Sequence, residues 1–147
     1  MIVVGRGFCF EDLKAGFRFR THRRTIAEAD LAAFVNLTWL TEELFTVEDD
    51  EARAIKGRAV PGALVYSFAE GLLLPTMQDT GLAFLNATLD MKAPTVVGDT
   101  IHVECEVTEH RLASKGDRGL VRFVNQVVNH RGETVLEYNP LRLLKRK

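Results

Sequence analysis

Two short stretches of this 147-residue chain hold the residues best suited to chemistry. The first is Trp39-Leu40-Thr41-Glu42-Glu43-Leu44-Phe45, where two carboxylates stand between two bulky aromatic side chains. A carboxyl group packed against Trp39 and Phe45 loses hydration. Its pKa then rises, and it can give and take a proton near neutrality. Thr41 beside the acids could position a water. The same acids run on into Glu48, Asp49, Asp50 and Glu51, so a solvated acidic loop is the competing reading. The second stretch is Val60-Pro61-Gly62, which leads into the apolar run ALVYSFAEGLLL. Proline suits the first turn of a helix because its missing N–H would have had no partner there. The remaining unpaired N–H groups carry partial positive charge and can hold a developing oxyanion, with Gly62 letting a ligand approach the backbone. Helix-start chemistry alone also accounts for Pro-Gly.

Around these stretches lie residues with weaker signals. Tyr66, Ser67 and Glu70 are the polar exceptions in the apolar helix, and a buried Glu70 needs a partner or a function. Arg53, Lys56 and Arg58, with Arg142, Lys145, Arg146 and Lys147 at the tail, could contact the phosphates of a ligand or simply be solvated. His22, His102, His110 and His130 make no metal spacing and read as surface residues, so no metal is expected. Cys9 and Cys105 are isolated and fit reduced thiols in a cytoplasmic protein. No serine has nucleophile-elbow context, and Gly5-Arg6-Gly7 lacks a phosphate-loop context. The opening MIVVGRGFCFEDL has no basic segment followed by a long apolar run, so neither a signal peptide nor a membrane span is expected. A net charge of -1 provides no global field to recruit nucleic acid or an anionic membrane.

The elements that must hold these residues fall into two halves, within one domain expected over residues 1–147. FRFRTHRRT alternates as a strand with one basic, wet face. Thr25 and Glu28 form a capping box for a helix whose apolar stripe is Leu31, Phe34, Val35 and Thr38. VEDDEARAIK reads as a short helix. The helix from Pro61 or Gly62 is apolar nearly all round, is expected to be buried and to stop at Pro75, and carries small residues Ala63, Ser67 and Gly71 at every fourth position. Strands follow over LAFLNATLDMKAP, DTIHVECEVTEHRL, GLVRFVNQVVNH and TVLEYNPLRLL, with Pro140 marking an edge or a bulge in the last. Four or five long strands joined by short turns predict an α+β fold: an antiparallel meander wrapped around a central buried helix. One curved sheet leaves edges and a helix flank uncovered, so a homodimer or higher homo-oligomer is expected.

FEDLKAGF, RTIAEAD, FVNLT, GRAVPGALV, APTVVGDTI and NHRGETV, in this order and spacing, resemble successive blocks of the MaoC-like family. The resemblance implies a hotdog fold, a dimer and a thioester ligand, acyl-CoA or an acyl carrier protein thioester, with no further cofactor. Many members are R-specific enoyl-CoA hydratases or the corresponding 3-hydroxyacyl dehydratases. Hydratase members carry G-D-x-N-P-x-H directly after the block seen here as FVNLT. Here the acid position is Leu40 and the histidine position is Phe45, and the family's A-H-G is Val60-Pro61-Gly62. Neither Leu40 nor Phe45 can move a proton. Gly62 matches the family glycine whose backbone N–H points at the thioester carbonyl. Three functions follow: a hydratase or dehydratase with its acids relocated to Glu42 or Glu43, a module that only holds acyl-CoA, or a thioesterase using the same carboxylates. In each, Trp39, Thr41, Phe45, Arg58, Pro61 and Ser67 are the expected substrate contacts.

Overall fold

In the computed structural model, which describes residues 1–48 and 57–147, the C-terminal alternation becomes two long strands. These are β5 (Thr100–Leu112) and β6 (Arg118–Asn129), numbered in chain order and paired antiparallel from Ile101↔Asn129 to Leu112↔Gly119. Ile101, Val103, Cys105 and Val107 on one strand and Val121, Phe123, Asn125 and Val127 on the other are buried on a common face, as a period of two requires. The described residues form an eight-stranded sheet, more than the four or five expected, because three strips are broken in two. β1 (Arg18–Arg20) and β2 (Arg24–Thr25) share one edge of β5. β7 (Thr134–Tyr138) and β8 (Leu141–Lys145) share the far side of β6. β3 (Gly81–Asn86) and β4 (Leu89–Met91) pair with β8 and β7 and form the other edge. Pro140 marks the β7–β8 break, and its carbonyl still accepts Phe123 N–H at 3.1 Å. That strip is interior rather than an edge.

The order is also not the simple meander expected. β3 and β4 precede β5 in sequence yet lie three strips beyond it, past β6 and the β7–β8 strip. Residues 92–99 make the return across one end of the sheet. On the way Lys92 N–H donates to Val135, Val97 N–H to Arg58 and Gly98 N–H to Ile26, while Thr95 O accepts Val60 N–H.

Helix α1 (Glu28–Thr38) starts later than the capping box predicts. Thr25 is held in β2, its hydroxyl 2.6 Å from that of Thr100, so Ala27 N–H is capped by Asp30 Oδ2 at 2.8 Å instead. Leu31 and Val35 are buried and Phe34 partly so, whereas Thr38 is exposed and donates its hydroxyl to the Phe34 carbonyl. A one-turn helix, α2 (Glu43–Thr46), follows. The helix expected over 47–56, with Arg53 and Lys56, falls from Asp49 onward outside the described residues.

Helix α3 (Gly62–Met77) runs through Pro75 instead of stopping there. Proline removes the N–H that would bond the Gly71 carbonyl and crowds that residue. Gly71 is exposed with nothing near its missing Cβ, so there is room for the strain and for water at the carbonyl. Leu64, Val65, Ala69, Leu72 and Leu73 face the sheet in the main core. Ala63, Ser67, Gly71 and Leu74 form an exposed line, so the helix is not buried all round. A second cluster, Phe10, Leu13, Val107, Val121, Phe123 and Leu144, seals the other end of the sheet. Phe10 lies so close to Gly119 that a Cβ there would overlap the Phe10 ring. Gly119→Ala is therefore expected to lower the unfolding free energy by about 1–3 kcal/mol in denaturant titration. An unchanged midpoint would mean that Phe10 is free to move away.

Candidate functional site

The amino end of α3 has no cap. Its N-cap is Pro61, with φ −59° and ψ 140°, and the first turn carries no acidic side chain. Leu64 and Val65 N–H both turn back to the Pro61 carbonyl, at 3.0 and 3.3 Å. The N–H groups of Gly62 and Ala63 precede the first intrahelical acceptor, as in any helix. With neither side-chain oxygen nor acid to meet it, the positive end of the helix dipole stays uncompensated by its own first turn.

A cavity of about 350 Å³ opens at this end. Val60, Gly62 and Val65 line it together with Met91, Lys92, Pro94 and Val135. The Met91 methyl group lies over Gly62, 2.7 Å from where a Cβ would stand. A side chain larger than hydrogen at position 62 would therefore displace Met91, an exposed and flexible thioether. Lys92 holds the rim and pairs with Asp90 at 2.7 Å, which raises its pKa. A second depression, of about 320 Å³, lies between Arg18 and Arg20 of β1 and Glu104 and Glu106 of β5, where opposite charges face each other in register.

The acidic stretch lies on a separate short element. Trp39 ends α1 in the left-handed region, φ 63°, which is unusual for a bulky residue and turns the chain sharply. In the single chain this leaves the Trp39 indole 85% exposed rather than lining the cavity. Thr41 is exposed, its N–H bonded to the Trp39 carbonyl at 2.8 Å. Glu42 is the N-cap of α2: its Oε2 accepts Leu44 N–H at 2.6 Å. Glu43 is exposed in the first turn of the same helix. Phe45 packs, half-buried, against the main core, so one of the two aromatic neighbours is partly covered and the other exposed.

Arg58 connects this element to α3. Its Nε donates to the Phe45 carbonyl at 3.1 Å and its Nη2 meets Glu28 Oε1 at 3.2 Å. The guanidinium is thus occupied in fixing α2 beside the chain that enters α3. Ser67 donates to the Ala63 carbonyl at 2.8 Å and lies on the exposed line of the helix. Of the expected contacts, the structure therefore brings Gly62 to the cavity, leaves Pro61 out of its lining, ties Arg58 to the Phe45 carbonyl, and leaves Trp39, Thr41 and Ser67 on the surface of the single chain.

Residues that sequence reasoning missed include Met91, Lys92 and Val135, which reach the cavity only through the long-range pairing of β4 with β7. It also missed Tyr138, and it read Arg142 as a solvated or phosphate-facing tail residue, whereas Arg142 is buried and both are partners of Glu70. Glu70 Oε2 accepts the Tyr138 hydroxyl at 2.7 Å, and Arg142 donates to both carboxylate oxygens at 2.9 and 2.6 Å. The available signal was a charged residue on the inward row of the last strand, matched to a charged residue on an apolar helix. Burial, then the nearby Glu70 carboxylate, pushes the Tyr138 hydroxyl pKa well up. His22 and His130 are exposed as expected, with His130 accepting from Thr100 N–H, while His102 and His110 are half-buried, His102 paired with Glu104 and His110 stacked on Phe10. Among the described residues no group of three or more His, Cys, Asp or Glu is placed to hold a metal ion. Nor is any helix among them long and apolar enough to cross a membrane.

A long helix cradled by a curled antiparallel sheet, with its bare amino end at a pocket, defines the hotdog class of proteins. A double hotdog-fold protein from Mycobacterium tuberculosis matches with a TM-score of 0.83 over 99% of this chain and 46% of its own, at 24% identity. The MaoC-like dehydratase from Rhodospirillum rubrum matches with a TM-score of 0.81 and 25% identity over 96% of this chain and 99% of its own. The (R)-specific enoyl-CoA hydratase of Rhodospirillum rubrum is 31% identical over 100 residues, which are 67% of this chain and 69% of that protein. No model of a protein family matches. The chain belongs to the MaoC-like family.

Cys105 faces α3 from the buried row of β5, and burial pushes its thiol from 9.0 up to about 12. Below pH 9.0 the folded protein should therefore resist iodoacetamide at Cys105, with labelling appearing only on unfolding. Rapid labelling of Cys105 in the folded protein, read by peptide mass, would show that α3 lifts off the sheet.

Proposed function

We propose that this protein is an acyl-thioester lyase of the hydratase and dehydratase type, which holds the thioester carbonyl at the Gly62 amide. The observation that carries this is the uncapped amino end of α3 opening on an apolar cavity. In hydration, water adds to the β-carbon of an enoyl thioester and electron density moves onto the carbonyl oxygen. The enolate then takes a proton at the α-carbon. The Gly62 N–H and the helix dipole meet the oxygen where its charge develops. The apolar walls Val60, Val65 and Val135 take the acyl group and exclude water. The CoA or acyl carrier protein portion extends outward past Lys92 and not across Arg58, whose guanidinium is already bonded. Such a substrate fits a cytoplasmic protein.

The proton must be carried by Glu42 or Glu43, since Leu40 and Phe45 stand where the family has its acid and histidine. Arg58 supports this assignment by holding α2 next to the entry of α3. One observation favours a second reading. The Glu42 carboxylate is engaged in capping α2, which suits a module that binds acyl-CoA without turning it over. The thioesterase reading uses the same carboxylates to direct water at the carbonyl carbon.

A panel of enoyl-CoA thioesters separates the three: loss of the conjugated absorbance without free thiol marks the lyase, thiol release the thioesterase, and binding alone the module. Gly62→Pro removes the N–H while keeping a residue suited to the first turn. It is expected to reduce turnover by about 10²–10³-fold, whereas Gly62→Ala keeps the N–H and loses less. Equal activity in both would remove the oxyanion role. Glu42→Gln and Glu43→Gln, made separately, should differ, one of them losing about 10²–10⁴-fold. Full rate in both would place the proton carrier elsewhere.

The assembly belongs to the same proposal. All residues of β3 and β4 are exposed, including Leu82, Phe84, Leu85, Leu89 and Met91, on the outer edge of the sheet. An apolar edge with an open ladder is matched by a second copy of itself. Sedimentation should give a particle of two 16.5 kDa chains, and Leu85→Lys should shift it to one. A wild-type monomer at micromolar concentration would overturn the dimer.

A further inference from the structure

Asn125 is 1% exposed, and its side-chain oxygen Oδ1 meets no donor of the protein. It stands on β6 opposite Tyr138, on the face of the sheet that is buried. Among the described residues only one other buried side-chain oxygen, Thr80 Oγ1, is in the same state. A buried acceptor left without a hydrogen bond loses its hydration and regains nothing. Native interiors seldom leave such a group unmet, and where the chain offers no donor an ordered water commonly does.

Asn125 borders a small cavity between α3 and the sheet, with room of about 10 Å³ for the centre of a water molecule. That is space for one water and nothing larger. Cys105 of β5, Arg142 of β8 and Thr76 of α3 border it as well, with Leu73 and Phe123 among its apolar neighbours. It shares no lining residue with the Gly62 cavity.

An internal cavity stays dry when its walls are apolar, and a buried water needs two to four polar partners. Here the partners are at hand. Glu70 takes two N–H groups of the Arg142 guanidinium, at 2.9 and 2.6 Å, and the guanidinium has more to give. Thr76 donates its hydroxyl to the Leu73 carbonyl at 2.6 Å, which leaves its oxygen able to accept. Burial keeps the Cys105 thiol neutral, with a sulfur that is a weak acceptor.

We propose that this cavity is a binding site for a single structural water molecule, which donates to Asn125 Oδ1 and accepts from Arg142. Its second hydrogen goes to Thr76 Oγ1 or the Cys105 sulfur. The water then links β6 and β8 to each other beneath α3 and completes the polar layer of Glu70, Tyr138 and Arg142. The inference stands apart from the thioester reading of the Gly62 site.

The test is a crystal structure of the wild-type protein at near-atomic resolution, paired with oxygen-17 magnetic relaxation dispersion, which counts long-lived internal waters in solution. A water is expected about 2.8 Å from Asn125 Oδ1, within reach of Arg142. Asn125→Leu removes the acceptor and should lose both the density and one long-lived water. Cys105→Val pushes an added methyl group into the same space and should lower the count by one as well, so it carries the test if Asn125→Leu fails to fold. A wild-type cavity without density overturns the inference, as does an Asn125 carboxamide whose oxygen is found bonded to a protein donor. A water that persists at full occupancy in Asn125→Leu, or a count unchanged in Cys105→Val, overturns it too.

Discussion

The packing of α3 against the inward face of the sheet governs the rest of the molecule. A helix whose side chains are mostly apolar cannot remain in water, and its burial removes Leu64, Val65, Ala69, Leu72 and Leu73 from solvent together. The same burial fixes where its amino end must stop. Pro61 brings a fixed φ to the N-cap but no side-chain acceptor, so the helix enters the core with its first N–H groups unmet by its own residues. A helix end in that state at a pocket wall is a place for an oxygen with developing charge. Core packing and the candidate chemistry are thus two consequences of one placement.

Around that end, segments distant in sequence support one another. Asp99 Oδ2 accepts Val96 N–H at 3.1 Å and its Oδ1 accepts from Arg131 at 3.1 Å. Arg131 is braced by Glu133 at 2.8 Å, and Asn129 Oδ1 accepts the N–H groups of both residues. The tightened 96–99 turn then bonds Arg58 and Ile26, and Thr95 bonds Val60. APTVVGDTI, NHRGETV and GRAVPGALV are therefore a single hydrogen-bonded frame around the entry of α3. Much of what makes this chain resemble its family is the scaffold of the site.

At Leu40 and Phe45 the sequence departs from the acid and histidine that the family resemblance implies. Leu40 and Phe45 are apolar, and Phe45 packs, partly buried, against the core. The carboxylates that remain sit on α2, outside the cavity lining, and one of them is used as a cap.

The alternation of β5 and β6, the apolar run of α3 and the start at Pro61-Gly62 were legible in the sequence because each depends on local periodicity or on one residue's backbone chemistry. Thr25 was misread as a cap because only the pairing with Thr100 across the sheet shows that its hydroxyl is used elsewhere. Pro75 was misread as a stop because the tolerance of the helix rests on an exposed, unobstructed Gly71 one turn earlier. The partners of Glu70 are 68 and 72 residues away and meet it only when β7 and β8 close under α3. The cavity lining has the same origin: Met91 comes to Gly62 through an edge strand that returns beyond β7. Sequence by itself determined the two long strands, the apolar helix and its bare amino end. Tertiary structure decided which side chains surround that end, since long-range strand pairing sets distances that no local pattern contains.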